Sequence, residues 1–183
     1  EAKLKRMPPE KELAGKVALI TGAAGGIGSA ISNKFLSEGC CVVLTDIDTS
    51  ALEAKKEEFI KKFGKDVVHS IAMNVTSEKE VKKAVSSSIN TFGGIDILVA
   101  NAGFSSAALF ENTSSKLWDK NMDILSKGSF LISREVYQKM IEQNNGGSII
   151  FIASKNSLNA SKGASAYSVA KSSLLHLSRS IAL

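Results

Sequence analysis

Short apolar, β-branched runs alternate along this chain with longer segments whose apolar residues recur every three or four positions. The first run, Lys16-Val17-Ala18-Leu19-Ile20-Thr21, leads into glycines and predicts a buried strand. Ile27, Ala30, Ile31 and Phe35 follow at helical spacing, with Gly39 as the stop. Residues 41–45 predict a second strand. Ser50 and Glu53 have the spacing of a capping box, opening a helix with the stripe Leu52, Phe59, Ile60 and Phe63 that Gly64 closes. A third strand is expected over residues 67–73. Ser77 and Glu80 predict a second capping box before a helix carrying Val81, Ala84, Val85 and Ile89. Residues 95–100 and 148–153 supply the fourth and fifth strands. Between them a helical stretch runs from about residue 114 to 143, broken by Gly146-Gly147, and a last helix is expected from near Tyr167 to the end.

Strands alternating with helices imply crossover connections and a parallel sheet covered on both faces. Right-handed crossovers then favour one architecture: an α/β, Rossmann-type doubly wound parallel sheet with strand order 3-2-1-4-5 over residues 15–183. Residues 1–14 read as a linker or leading arm, rich in charge and holding Pro8 and Pro9. No internal repeat is visible.

Composition narrows this further. The 183 residues, 44% hydrophobic, suffice for one domain with a core and not for two. No stretch approaches the ~20 consecutive apolar residues of a membrane span, so no membrane partner is expected. Cys40 and Cys41 are adjacent, which excludes a disulfide framework, a zinc knuckle and a CxxC motif. Reduced thiols, no metal and a cytoplasmic location are the expectation. The net charge of +5 comes from scattered groups: Lys3, Lys5 and Arg6, then Lys55, Lys56, Lys61, Lys62 and Lys65. Glu1, Glu53, Glu57 and Glu58 lie among them and no aromatic residues are interleaved, so they read as solvated faces, not a nucleic-acid surface.

The candidate chemistry begins at Thr21-Gly22-Ala23-Ala24-Gly25-Gly26-Ile27-Gly28, between the first strand and first helix. Glycines there let the backbone approach a pyrophosphate, and the helix N-terminus faces the anion. A flexible connector would also be glycine-rich. The preceding strand, the following helix and an acid at the end of the second strand favour the phosphate reading. That acid is Asp46, 18 residues beyond Gly28, where a carboxylate accepts from ribose hydroxyls and repels a 2′-phosphate. No Arg or Lys occupies the glycine turn or the positions beside Asp46, which favours NAD over NADP. Asp48 reads as a turn residue. Tyr167 and Lys171 lie one helical turn apart, so a lysine charge beside a phenol favours the phenolate.

Asn101-Ala102-Gly103 after the fourth strand and Tyr167-Ser168-Val169-Ala170-Lys171 in the last helix join Gly22, Gly26 and Gly28 in order along the chain. With the signatures TGxxxGxG, NNAG and YxxxK, the chain resembles the short-chain dehydrogenase/reductase family over nearly its whole length. The resemblance implies Tyr167 as catalytic acid/base, Lys171 as pKa tuner and ribose ligand, and Ser154, 13 residues before the tyrosine, as donor to the substrate oxygen. It also implies that Gly22, Gly26, Ile27 and Gly28 cradle the pyrophosphate, Asn74 and Val75 touch adenine, and Asn101, Ala102 and Gly103 line the cofactor. An NAD-dependent oxidoreductase acting on a small alcohol, aldehyde or ketone follows. A homodimer or homotetramer, built through the long helix and the last one, follows too.

Four departures qualify the match. Ala100 stands at the first Asn of NNAG, and Asn74-Val75 at a usual Asp-Val, where the Asn74 amide oxygen could accept the same bond. Aligning Trp118-Asp119 and Gly128 puts Leu125 at the family's fourth catalytic residue, an Asn. Asn121, one turn earlier, is either its substitute or a surface polar residue. The family also continues through two more strands and a substrate loop, so the chain is expected to be a C-terminally truncated, weakly active piece of a longer enzyme. The leading KLKRMPPEKELAGK, Leu125 and Ser154-Lys155-Asn156 resemble the dehydrogenase part of bifunctional rhamnulose-1-phosphate aldolase/short-chain dehydrogenase proteins. That implies fusion to an aldolase domain and a lactaldehyde-related substrate. The alternative, resting on Leu125 and the length, is a nucleotide-binding or interaction module without turnover.

Overall fold

The computed structural model describes residues 11–183; most of the leading arm lies outside the described residues. Five strands form one parallel sheet: β1 (Val17–Thr21), β2 (Cys41–Asp46), β3 (Val68–Ala72), β4 (Ile97–Ala100) and β5 (Ser148–Phe151). Their order is β3-β2-β1-β4-β5, as the alternating pattern predicts. The helices are α1 (Gly26–Ser37), α2 (Thr49–Phe63), α3 (Glu78–Phe92), α4 (Ser115–Asn121), α5 (Gly128–Gln143) and α6 (Ser165–Ile181).

Side chains alternate across the strands, so each strand feeds two cores. Leu19, Val43, Leu98 and Ala100 point to one face, against Val81 and Val85 of α3 and Ile132 and Val136 of α5. Ala18, Ile20, Val42, Leu44, Ile97 and Val99 point to the other, against Leu36 of α1 and Leu52 and Phe59 of α2. Each fully buried side chain of this size contributes about 1.5–3 kcal/mol. β1 lies at the centre, with Leu19 in register with Val43 of β2 and Leu98 of β4. The carboxyl ends of β1, β2 and β4 therefore open onto one cleft at the point where the strand order reverses.

Local details correct the sequence reading in three places. Ser50 and Glu53 do not cap α2: Asp48 does, accepting from the Ala51 N–H at 3.0 Å. The β2–α2 connection is so short that the extended residue before the helix is Asp48 (φ −82°, ψ 96°), and Ser50 falls inside the first turn. Ser77 caps α3 as expected, but Glu80 reaches past it to the Asn74 N–H at 2.8 Å. The stretch expected as one helix from about residue 114 to 143 is divided by a π turn, Met122–Lys127, between α4 and α5. Among the described residues no helix is long and apolar enough to cross a membrane, and no group of three or more His, Cys, Asp or Glu is placed to hold a metal.

Candidate active site

A cleft of about 940 Å³ lies across the carboxyl ends of the strands. One wall is the glycine turn after β1. Gly22 has φ +64°, and a Cβ there would stand 3.0 Å from both Ala102 Cα and Asn101 Nδ2. At Gly28 a Cβ would collide with the Gly22 carbonyl. Gly26 begins α1, and a Cβ on it would meet nothing within 4 Å. Ile27 is exposed beside it on the cleft wall. The turn thus presents backbone and the positive end of α1, whose first turn holds no acidic residue.

Asp46 ends β2 at the rim. Its Oδ2 accepts from the Ala24 N–H and its Oδ1 from the Asp48 N–H, each at 3.1 Å. Two backbone donors thereby fix the carboxylate over the glycine turn. Beyond it, Asn74 and Val75 line the cleft. The Asn74 amide oxygen, expected to be open to a ligand, already accepts from the Thr76 N–H and hydroxyl at 3.0 and 2.9 Å. The Asn74 side chain therefore meets the cleft with that oxygen engaged.

Asn101, Ala102 and Gly103 form the floor. The Asn101 amide donates to the carbonyls of Thr21 and Gly22, at 2.9 and 3.1 Å. Thr21 answers through its hydroxyl, which accepts from the N–H groups of Asn101 and Ala102 at 3.0 and 2.9 Å. Thr21 holds the turn to the floor, a role the sequence reading missed. Its only signal there is a hydroxyl closing an apolar run. Phe104, Ser105 and Lys120 were missed as well: they line the same cleft, with the Lys120 ammonium 4.7 Å from the Phe104 ring centre.

At the far end, α6 brings Tyr167 and Lys171 into the same cleft. Lys171 is buried and donates to the Ile152 carbonyl at 2.6 Å. Burial pulls its pKa below the usual lysine value. Ser154 follows the cleft-lining Ile152 and Ala153. Its hydroxyl accepts from the Asn156 N–H at 3.2 Å, capping the short 3-10 turn Lys155–Ser157, while Ser157 Oγ accepts from the Ser154 N–H. That capping bond uses the acceptor side of Ser154 and leaves its O–H proton for another partner. Ser157 is the other half of this box.

Leu125 and Asn121 are both fully buried, which overturns the surface reading of Asn121. The Asn121 amide N–H donates to the Leu117 carbonyl at 2.7 Å and its oxygen accepts from the Ser106 hydroxyl at 3.0 Å. Both ends are engaged away from the cleft, so it staples the loop after β4 to α4. That loop is tied to the one before α6 as well: the Ala108 N–H donates to the Gly163 carbonyl at 2.9 Å, and Ala108 bridges to Ala164.

Fold and site together define a dinucleotide-type α/β domain with a tyrosine–lysine pair at its carboxyl edge. The family model for short chain dehydrogenases matches residues 16–183, and the chain belongs to that family. It is 44% identical over 180 residues to the uncharacterized oxidoreductase YuxG of Bacillus subtilis, covering 98% of this chain and 26% of that protein. It is 36% identical over 173 residues to the 3-oxoacyl-[acyl-carrier-protein] reductase FabG of Aquifex aeolicus, covering 94% of this chain and 69% of that one. A short chain dehydrogenase/reductase from Burkholderia phymatum, solved in complex with NAD, superposes with a TM-score of 0.89 at 26% identity. The match covers 93% of this chain and 60% of that one. The chain thus spans about a quarter of YuxG and 60–75% of the similar solved structures.

Proposed function

We infer that this chain is the catalytic domain of an NAD-dependent oxidoreductase that interconverts a small alcohol and its aldehyde or ketone. The observation that carries this is one cleft holding the Gly22–Gly28 turn and Asp46 at one end and Tyr167 with Lys171 at the other. The bare backbone of the turn and the anchored carboxylate of Asp46 fit a dinucleotide. When bound, the nicotinamide supplies the hydride acceptor or donor.

The chain's own residues do the rest. Backbone N–H groups of Gly22, Gly26, Ile27 and Gly28 face the pyrophosphate, and Asp46 takes the ribose hydroxyls and repels a 2′-phosphate. Asn74 and Val75 bound the adenine, with Asn101, Ala102 and Gly103 beneath. Tyr167 holds or takes the hydroxyl proton of the substrate at its phenolic oxygen. Lys171 places a positive charge one turn away and binds the nicotinamide ribose. Ser154 donates its O–H to the substrate oxygen.

The narrower reading places this domain in a bifunctional rhamnulose-1-phosphate aldolase/short-chain dehydrogenase acting on lactaldehyde or its alcohol. Its support is the match to YuxG, in which almost this entire chain aligns with 26% of the relative. A homodimer or homotetramer through α5 and α6 is proposed as well, supported by the exposed Phe130, Tyr137, Ile141 and Val169.

The test is a full-length protein offered NAD or NADP with small alcohols and 2-hydroxyaldehydes, following reduced cofactor by absorbance. NADH should form with at least one substrate, far faster than NADPH, and Tyr167→Phe should abolish it while leaving NAD affinity nearly unchanged. NAD binding without turnover on any of them would make the domain a binding module.

A further inference from the structure

Lys171 is the one buried charged side chain among the described residues, at 5% exposure. An ammonium carries three donors, and one of them is aimed at the Ile152 carbonyl, 2.6 Å away. Among the described residues no carboxylate pairs with it. Leu125 of the π turn and the Lys171 ammonium both lie beside Gly103. A Cβ on Gly103 would lie 2.8 Å from Leu125 Cδ2 and 3.9 Å from Lys171 Nζ. The leucine methyl and the ammonium therefore flank the same stretch of bare backbone. Leu125 is fully buried in the π turn, and that turn packs on α6.

Polar neighbours in and beside the turn are engaged elsewhere. Asn121 is bound to Leu117 and Ser106, and Ser126 Oγ lies 2.7 Å from Ser173 Oγ. The titratable groups on elements packed against α6 are Lys116, Asp119 and Lys120 of α4, Asp123 and Lys127 of the π turn, and Lys155 of the 3-10 turn; all are exposed, and β5 has none. Asp123 and Lys127 pair with each other at 3.6 Å. On α6 itself, Tyr167 is the titratable group that shares the cleft with Lys171.

We propose that Leu125 is a positioning residue that closes the helix side of the Lys171 socket, so that the ammonium exchanges protons through the cleft it shares with Tyr167. The functional weight of this socket rests on the assignment of Tyr167 and Lys171 above. An apolar wall offers neither an acceptor nor a seat for water, and one main-chain carbonyl then fixes the ammonium's direction. A polar side chain at 125 would solvate the charged form and open a second route for its proton.

The test uses the 183-residue chain itself, without cofactor, carrying ¹³C-labelled lysine. NMR follows the Lys171 side-chain carbon through alkaline pH, assigned by its loss in Lys171→Met. Leu125→Asn should raise the pH at which Lys171 titrates by about one unit, a roughly tenfold gain in proton affinity. Leu125→Ser, a smaller polar replacement read if the asparagine variant does not fold, should shift it in the same direction. Leu125→Met should leave it in place. A folded polar variant that titrates with the parent, or a methionine variant that shifts as far as asparagine, overturns the role of Leu125. NAD titration of the parent chain is run beside it: failure to bind overturns the functional assignment and leaves the socket result standing.

Discussion

The Asn101 side chain crosses from the end of β4 to the carbonyls of Thr21 and Gly22, while the Thr21 hydroxyl accepts from the Asn101 and Ala102 N–H groups. These four hydrogen bonds join the glycine turn to the cleft floor. Asn101→Ala takes the amide donor from both carbonyls, of which Gly22 keeps the Gly25 N–H at 3.3 Å, and should destabilise the fold by about 1–3 kcal/mol. NAD affinity should fall at least tenfold, because the turn loses its brace. Denaturant titration and calorimetry read the two effects. Parent-like NAD binding in the variant would show that the turn holds its shape unaided.

Asp46 is expected to decide between cofactors. Its carboxylate is fixed by the Ala24 and Asp48 N–H groups, so it cannot swing clear of a 2′-phosphate. NAD should bind much more tightly than NADP, and Asp46→Ala with Ile47→Arg should reverse the order. Equal affinities in the parent chain would remove Asp46 from cofactor choice.

Asn121 should matter to stability and not to ligand binding. Its amide is fully buried and makes both of its bonds within the loop–α4 unit. Asn121→Ala leaves the Ser106 hydroxyl without its buried acceptor and should cost about 1–3 kcal/mol. NAD affinity should stay within about twofold of the parent, since the side chain does not line the cleft. Thermal melts and calorimetry on one preparation separate the outcomes.

Alkaline pH should unfold the chain partly through Cys40. Burial pushes its thiol up to about 12 from an ordinary value of 9.0. Between those values the unfolded chain gives up a proton that the folded chain keeps, so stability is full below pH 9.0 and falls as pH rises toward 12. Cys40→Ala removes that term. Denaturation midpoints measured across this range should fall less steeply for the variant than for the parent.

The sequence made the sheet legible because a buried parallel strand writes itself as a continuous apolar run, as residues 17–21 and 41–46 do. The glycine turn was equally plain, since Gly22 and Gly28 answer to backbone geometry that few other residues tolerate. What escaped depends on partners distant in sequence. The true cap at Asp48 follows from the length of the β2–α2 connection. Asn121 shows no sign of its burial until Ser106 closes over it. The π turn, Met122–Lys127, holds neither glycine nor proline that would mark a break in the helix. Thr21 gains its role from Asn101, 80 positions away.

The bridge between Ala108 and Ala164 has a further consequence. It joins the loop after β4 to the loop before α6, three residues ahead of Tyr167. The N-cap of α6, Ala164, has no side-chain hydrogen bond of its own, and the bridge, the adjacent Ala108–Gly163 bond and the Thr113–Ser165 hydroxyl contact at 3.4 Å tie that end of the helix to the segment after β4. The two lips of the mouth are therefore geared to the tyrosine. A swing wide enough to admit a bulky molecule would rotate the first turn of α6 and carry the phenol out of line. On the function proposed above, access to the cleft and the aim of the Tyr167 phenol are then set by one linkage.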